Sequence, residues 1–271
     1  ISLDLFLSTE GNSYRQDMNQ IALHPSWSWG KFHIGDFTHK YTPFTLSGIS
    51  IRGAGLELSP GIFRFEAFGG QSQKSISDGP FNSMYARYFY SGRIGLQFDN
   101  GSGFYFNFLR SKDDVKSLSY DIFTADTNSV KSKNQVTPQE NLIIGTNTVI
   151  NLFNKRLSIG GEFSGSVFTK DMYAKGFNES VIPDYVNNFY NPNISSNVDF
   201  AYSGLLKLDL DDFNFKGEYS VINPGYISHG IGIMANDRRT INLISGFRLI
   251  NNILSIQLNY QTQNDNLLKH K

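Results

Sequence analysis

The chain has 271 residues, enough for one large all-β domain, and its 24 basic and 24 acidic side chains cancel to a net charge of zero. That balance argues against nucleic acid as a partner, because phosphate recognition needs a basic excess or stripe. The absence of cysteine removes disulfides, thiolate catalysis and cysteine-ligated metals, and no run approaches the roughly 18 apolar residues of a membrane helix.

The chain opens inside an alternating segment, Ile1-Ser2-Leu3-Asp4-Leu5, and is read as a fragment or processed part of a longer protein. Alternation and turn signals predict thirteen strands, at 1–8, 17–24, 27–37, 46–58, 62–70, 85–98, 103–111, 141–153, 157–169, 197–210, 213–222, 239–249 and 252–263. Most are near the roughly 9–11 residues that carry a tilted strand across a bilayer. Their connections alternate. Pro25-Ser26, Ser59-Pro60-Gly61, Asp99-Asn100-Gly101-Ser102, Asn154-Lys155-Arg156, Asp211-Asp212 and Ile250-Asn251 are tight turns, whereas 38–45, 71–84, 112–140, 170–196 and 223–238 are long polar excursions. In an up-and-down sheet this places every short turn at one end and every long loop at the other, the arrangement of outer-membrane barrels.

The period-2 signal is cleanest in the second half. Phe213, Phe215, Gly217, Tyr219 and Val221 alternate with Asn214, Lys216, Glu218 and Ser220, and similar patterns run through 157–169, 197–210 and 252–263. Alternation alone does not choose between an apolar face turned to a soluble core and one turned to lipid. Two further features favour lipid. Aromatics cluster near strand ends (Trp27, Phe37, Phe63, Phe98, Phe104, Phe153, Phe168, Phe213, Tyr260), as interfacial girdles do, and no helix-period segment is available to cover an open sheet. A mean hydropathy of −0.30 is compatible with this, because a membrane barrel alternates lipid-facing and lumen-facing residues and averages out as polar. The expected fold is an antiparallel up-and-down transmembrane β-barrel of about 12–14 strands, spanning 1–271 as a single domain.

Gly35-Asp36-Phe37, Leu46-Ser47-Gly48 and Arg52-Gly53-Ala54-Gly55-Leu56 resemble the opening hairpins of Bacteroidota- and Ignavibacteria-type outer-membrane barrel proteins. Pro138-Gln139-Glu140-Asn141-Leu142 leading to Gly145-Thr146-Asn147, together with Pro224-Gly225-Tyr226 and Asp265-Asn266-Leu267, is similar to the same group. The resemblance implies a barrel in the bacterial outer membrane and implies no substrate.

The motifs of chemistry are weak. His24, His33, His39, His229 and His270 form no spaced metal pair and no HExxH. Ser228 and His229 are adjacent, so in an extended segment they point apart, and no nucleophile elbow is present. Gly53-Ala54-Gly55 and Gly160-Gly161 fall inside strands without the following helix a phosphate cradle needs. Asp113-Asp114 and the Asp209–Asp212 cluster lack calcium-loop spacing. No catalytic, cofactor or metal residue is assigned, and no enzyme activity is expected. The loop 184–196, rich in Asn and aromatics, reads either as a solvated outer loop or as a carbohydrate- or ligand-facing one.

What remains is a set of charges on the expected inward parity: Arg52, Arg64, Glu66, Arg87, Arg93, Glu162, Asp199, Lys207, Lys216, Glu218 and Arg248. They read as a salt-bridge lattice filling the barrel or as a polar constriction for a solute. The expected function is a pore or transport role for polar solutes. The alternative is a structural or adhesive barrel with an occluded lumen and partner-binding outer loops. The expected partners are the lipid bilayer and other outer-membrane proteins.

Overall fold

The computed structural model describes residues 2–6, 20–77, 83–118, 136–176, 190–249 and 254–267. They form one 14-stranded antiparallel sheet in sequence order, with no helix among the described residues. The strands are β1 Ser2–Phe6, β2 Gln20–His24, β3 Ser26–Trp27, β4 Gly30–Thr42, β5 Leu46–Leu58, β6 Phe63–Gln73 and β7 Arg87–Gln97. They continue with β8 Gly103–Asp113, β9 Glu140–Leu152, β10 Leu157–Thr169, β11 Ser196–Asp209, β12 Phe213–Ile222, β13 Arg238–Leu249 and β14 Leu254–Asp265. The up-and-down, all-β expectation holds. Closure does not: among the described residues β1 and β14 are the two ends of the ladder and do not pair with each other.

Two local expectations are corrected. The segment expected as one strand at 27–37 is broken at 28–29, leaving β3 as a short pair with the start of β4. The excursion expected at 38–45 is a tight turn, because β4 runs on to Thr42 and its ladder with β5 shifts register twice, between Thr38 and Thr42. Those irregularities absorb the polar residues that read as a loop, a task β-bulges perform at strand ends.

The turn expected at Pro25-Ser26 lies instead at 28–29, since Ser26 pairs with Lys31, whereas the connections from β7 to β11 sort as expected. At one end, Asn100 donates to the Asn151 carbonyl at 3.1 Å, and the Asp209 amide donates to the Arg156 carbonyl at 2.7 Å. The turns after β7, β9 and β11 are therefore neighbours. In the first of these turns Gly101 takes φ +80°, as Asn-Gly turns require. At the other end, Thr137 donates to the Lys170 carbonyl and the Met172 amide donates to the Pro138 carbonyl, so the loops after β8 and β10 meet. The turn at 250–251 and the loop stretch 184–189 lie outside the described residues.

The sheet is strongly curved. The Oγ1 of Thr45, just before β5, lies 3.4 Å from Ser164 Oγ on β10. Five strand spacings separate β5 from β10, about 24 Å in a flat sheet. The contact requires the sheet to wrap around what lies between. What lies between is the β4–β5 turn and an inward-folded strap, residues 223–237, joining β12 to β13. Together they build the core on the concave face, from Phe37, Ile51, Phe68, Phe89, Leu109 and Ile143 of the wall with Phe44, Leu46 and Tyr226 laid against them. The Phe68 ring lies so closely on Gly55 that a Cβ there would collide with it, which is why a glycine stands opposite this aromatic.

Candidate functional site

The concave face carries three groups of polar side chains, and register explains each. The first lies on β2, β4, β5 and β6. His33 and His39 project inward from β4, Glu57 from β5 and Glu66 from β6. His33 Nε2 is 2.5 Å from Glu57 Oε1, and His39 Nε2 is 2.7 Å from Glu66 Oε2 while its Nδ1 lies 3.8 Å from Glu57. The His24 ring stands edge-on to that of His33 at 4.8 Å. Arg93 of β7 closes the row, 3.6 Å from Glu66 and with its guanidinium 3.9 Å over the Tyr105 ring. Two histidines thus meet two carboxylates across strands, and the third, His24, packs against His33 with Asp4 3.4 Å from its Nε2. Spacing along the chain does not reveal this, because the contacts run across strands. Among the described residues no group of three or more such side chains is arranged to hold a metal ion.

The second group is the strap and what holds it. Tyr226 is fully buried and its hydroxyl donates to the Phe44 carbonyl at 2.8 Å. Burial pushes that phenol up, so it stays protonated and able to donate. Ser228 donates to the Thr45 carbonyl, and the Ser47 amide donates to the Gly230 carbonyl at 2.7 Å. From the wall, Asn141 Nδ2 and Ser166 Oγ both donate to the Ile227 carbonyl, at 3.1 and 2.6 Å, and Asn141 Oδ1 accepts the His229 amide. His229 Nδ1 pairs with Ser111 Oγ at 2.6 Å. Burial, and then the nearby Arg87 charge, hold this imidazole well below its usual range, so it is neutral. Ser228 and His229 do not pair, as their adjacency implies. The Ser–His contact that does form involves Ser111, which is 1% exposed and closed to any substrate. Asn141 is the residue whose role sequence reasoning misses: a buried amide serving wall and strap together, within a stretch that marks only a resemblance.

The third group faces a cavity of about 500 Å3 on the inner side of β9–β14, roofed by the β4–β5 turn. It includes Glu162 and Glu218. The inward charges expected from sequence divide among these places. Glu66 and Arg93 belong to the histidine row. Arg64 sits on the same parity as Glu66 but at the turn, bonded to Gln97 and the Gly61 carbonyl. Arg87 pairs with Asp113 at 2.6 Å near the strap. Asp199 accepts from the strap, from Asn223 and the Gly225 amide. Lys207 and Lys216 are half-exposed and pair along their own strands with Asp209 and Glu218. Arg248 reaches the Asp211 carbonyl at the turn end.

Arg52 is a correction. Its neighbours Ile51 and Gly53 take the concave parity, and Arg52 points to the opposite face, where it binds Asp36 at 2.8 Å. Charge is a poor guide to parity here because β5 presents an apolar residue, Ile51, to the inside. Phe37 and Phe168 are corrected for the same reason. Both are buried on the concave side, Phe168 against His229, and neither belongs to an outer girdle.

Outside the ladder, Tyr190 follows the loop after β10 back onto the rim, where Thr169 and the Glu140 carbonyl meet its hydroxyl. Burial pushes this phenol up to about 12.

No protein-family model and no curated protein matches the chain. Among the described residues no helix is long and apolar enough to cross a membrane, which says nothing of β-barrels, since they cross with strands.

Proposed function

We propose that the chain forms the wall of a β-barrel in the bacterial outer membrane, whose lumen is closed at the loop end by the strap, and that it passes polar solutes when the strap moves. The supporting observation is the sorting of side chains. On the convex face, strand after strand leaves large apolar side chains uncovered: Ile94, Phe106, Ile144, Phe163, Phe200 and Leu206. Soluble proteins rarely leave so extended an apolar surface bare. A sandwich would lay a second sheet over it, and no such layer is present among the described residues. In lipid the same face is in its proper solvent, and the polar groups turn inward.

A membrane also demands closed edges. The ladder contains fourteen strands less β3, which pairs off the path, and each step is antiparallel, so β1 and β14 run in the same direction. One strand running opposite to both would close the wall with an even count, the rule for bacterial single-chain barrels.

The occluded-lumen alternative draws on a specific observation too, the complete burial of Tyr226 and the many bonds that fix the strap. Planar-bilayer conductance separates the two. Asn141→Ala removes the amide that grips the Ile227 carbonyl and the His229 amide. A gated pore should conduct weakly as wild type and clearly more as this variant. Silence from both would leave the structural barrel. A protein that stays in solution without detergent would end the membrane reading altogether.

A further inference from the structure

The inner cavity of about 500 Å3 is of the size that holds small molecules. Its space comes from small side chains in register. Glu162 of β10 pairs with Ser203 of β11, which pairs with Ser220 of β12, which pairs with Thr240 of β13. One carboxylate therefore stands at the end of a row of three hydroxyls. A second row brings Glu218 opposite Asn242, and Asn242 opposite Gln261. Tyr41, at the end of β4, and Phe44, on the turn after it, supply aromatic walls.

The polar accounting in this cavity is one-sided. Two carboxylates, Glu162 and Glu218, line it, and no Lys or Arg lines it among the described residues. Lys216 offsets Glu218 at 2.7 Å, and Arg93, 5.9 Å over the Tyr41 ring, bears on Glu162 from outside the lining. Glu162 lies near Thr42, the Phe44 backbone and Ser164, and its Oε1 has no hydrogen-bond partner among the described residues. Asn242 donates one amide hydrogen to Glu218, and its Oδ1 has no donor among the described residues. Among the described residues that line the cavity, the unmet atoms are thus acceptors, and the charged lining groups are both carboxylates. Buried acceptors without donors are costly, and carboxylates reward a charged donor most. Aromatic rings beside them favour a cation further.

We infer that this cavity is a binding site for a small organic cation carrying a primary ammonium group. The ammonium would donate to Glu162 and to the hydroxyl row, with its alkyl part against Tyr41 and Phe44. A neutral polyol would leave the charge uncompensated, and an anion would be repelled. The inference depends on the cavity and not on the membrane reading, so protein that proved soluble without detergent could still bind.

The test is calorimetric titration of the full-length protein with putrescine, with glucose and succinate as neutral and anionic probes. Putrescine should bind and the other two should not. Glu162→Gln keeps the shape and removes the charge, and should weaken putrescine binding about tenfold or more, the loss of one charge-assisted hydrogen bond. Ser220→Phe should fill the cavity and abolish binding, and circular dichroism would establish that each variant remains folded. The inference is overturned if putrescine fails to bind, if glucose or succinate binds as well, or if folded Glu162→Gln binds putrescine like the wild type.

Discussion

The two halves of the wall are built from the same strand pattern yet differ on the inside. From β4 to β9 the concave face is packed: Phe37, Ile51, Phe68, Phe89, Leu109 and Ile143 press against the β4–β5 turn and the strap. From β10 to β14 it opens onto a polar cavity, and most inward residues are Ser, Thr, Asn, Gln, Lys or Glu. The outer faces do not differ, since both halves expose large apolar side chains. One half of the sheet therefore has apolar groups on both faces, and the other is sorted cleanly. A sheet obtains its hydrophobic core wherever chain is folded against it, and here that chain comes from a turn and a loop instead of a second layer.

The largest effect should come from breaking the packed half from within. Phe89, 1% exposed on β7, sits in the core beneath the strap. Phe89→Ala should cost roughly 3–5 kcal/mol, the range for a large aromatic truncated in a core that collapses only partly. Ser220→Ala, at an inward position of the open half, should change stability by less than about 0.5 kcal/mol. Urea unfolding of both variants in lipid or detergent measures the contrast. Similar costs would mean that the two halves are packed alike and that the distinction is false.

The same contrast governs what is legible in the sequence. Alternation is visible only where one face is polar. In β10–β12 it is strict, and the faces of Phe213, Lys216, Glu218 and Tyr219 follow from it alone. In β4 and β5 both faces carry apolar residues or glycine, the period is blurred, and the pattern assigns Arg52 to the wrong side. The short turns at 99–102, 154–156 and 211–212 are readable because turn chemistry is local, whereas the polar stretch 38–45 reads as a loop although most of it belongs to β4. The strap is not readable, since its inward path rests on Tyr226, Asn141 and Ser166, which meet across strands distant in sequence. The histidine row is hidden in the same way.

A second test probes the face on which the halves should agree. Leu206 on β11 and Phe106 on β8 both point outward and are exposed. If lipid lies outside, Leu206→Arg and Phe106→Arg should each cost roughly 2–4 kcal/mol near mid-membrane. Ser203→Arg, turned into the cavity of the open half, should cost much less. Refolding into lipid vesicles would show it. Outer arginines tolerated as well as Ser203→Arg would place water on the convex face.

The smallest expected effect is a pH dependence confined to the packed half, where His229 is buried. Facing it are Ser111 on β8, Asn141 on β9, Phe168 on β10 and the Arg87–Asp113 pair. Burial and the Arg87 charge depress its folded-state pKa below the ordinary value of about 6.5. The unfolded or released strap then binds more protons than the packed one once pH drops below that ordinary value, and stability rises with pH wherever the unfolded form binds more protons. The strap should be fully stable above about pH 6.5 and progressively weaker as the pH falls toward the folded-state pKa, below which no further loss accrues. Hydrogen exchange should accordingly show the amides of 226–231 losing protection between about pH 7.5 and 5.5, after correction for intrinsic rates, while those of β11 and β12 in the open half hold theirs. His229→Gln, which cannot titrate, should remove the difference. An unchanged pH response in that variant would assign the loss to another group, and the strap's link to His229 would fall with it.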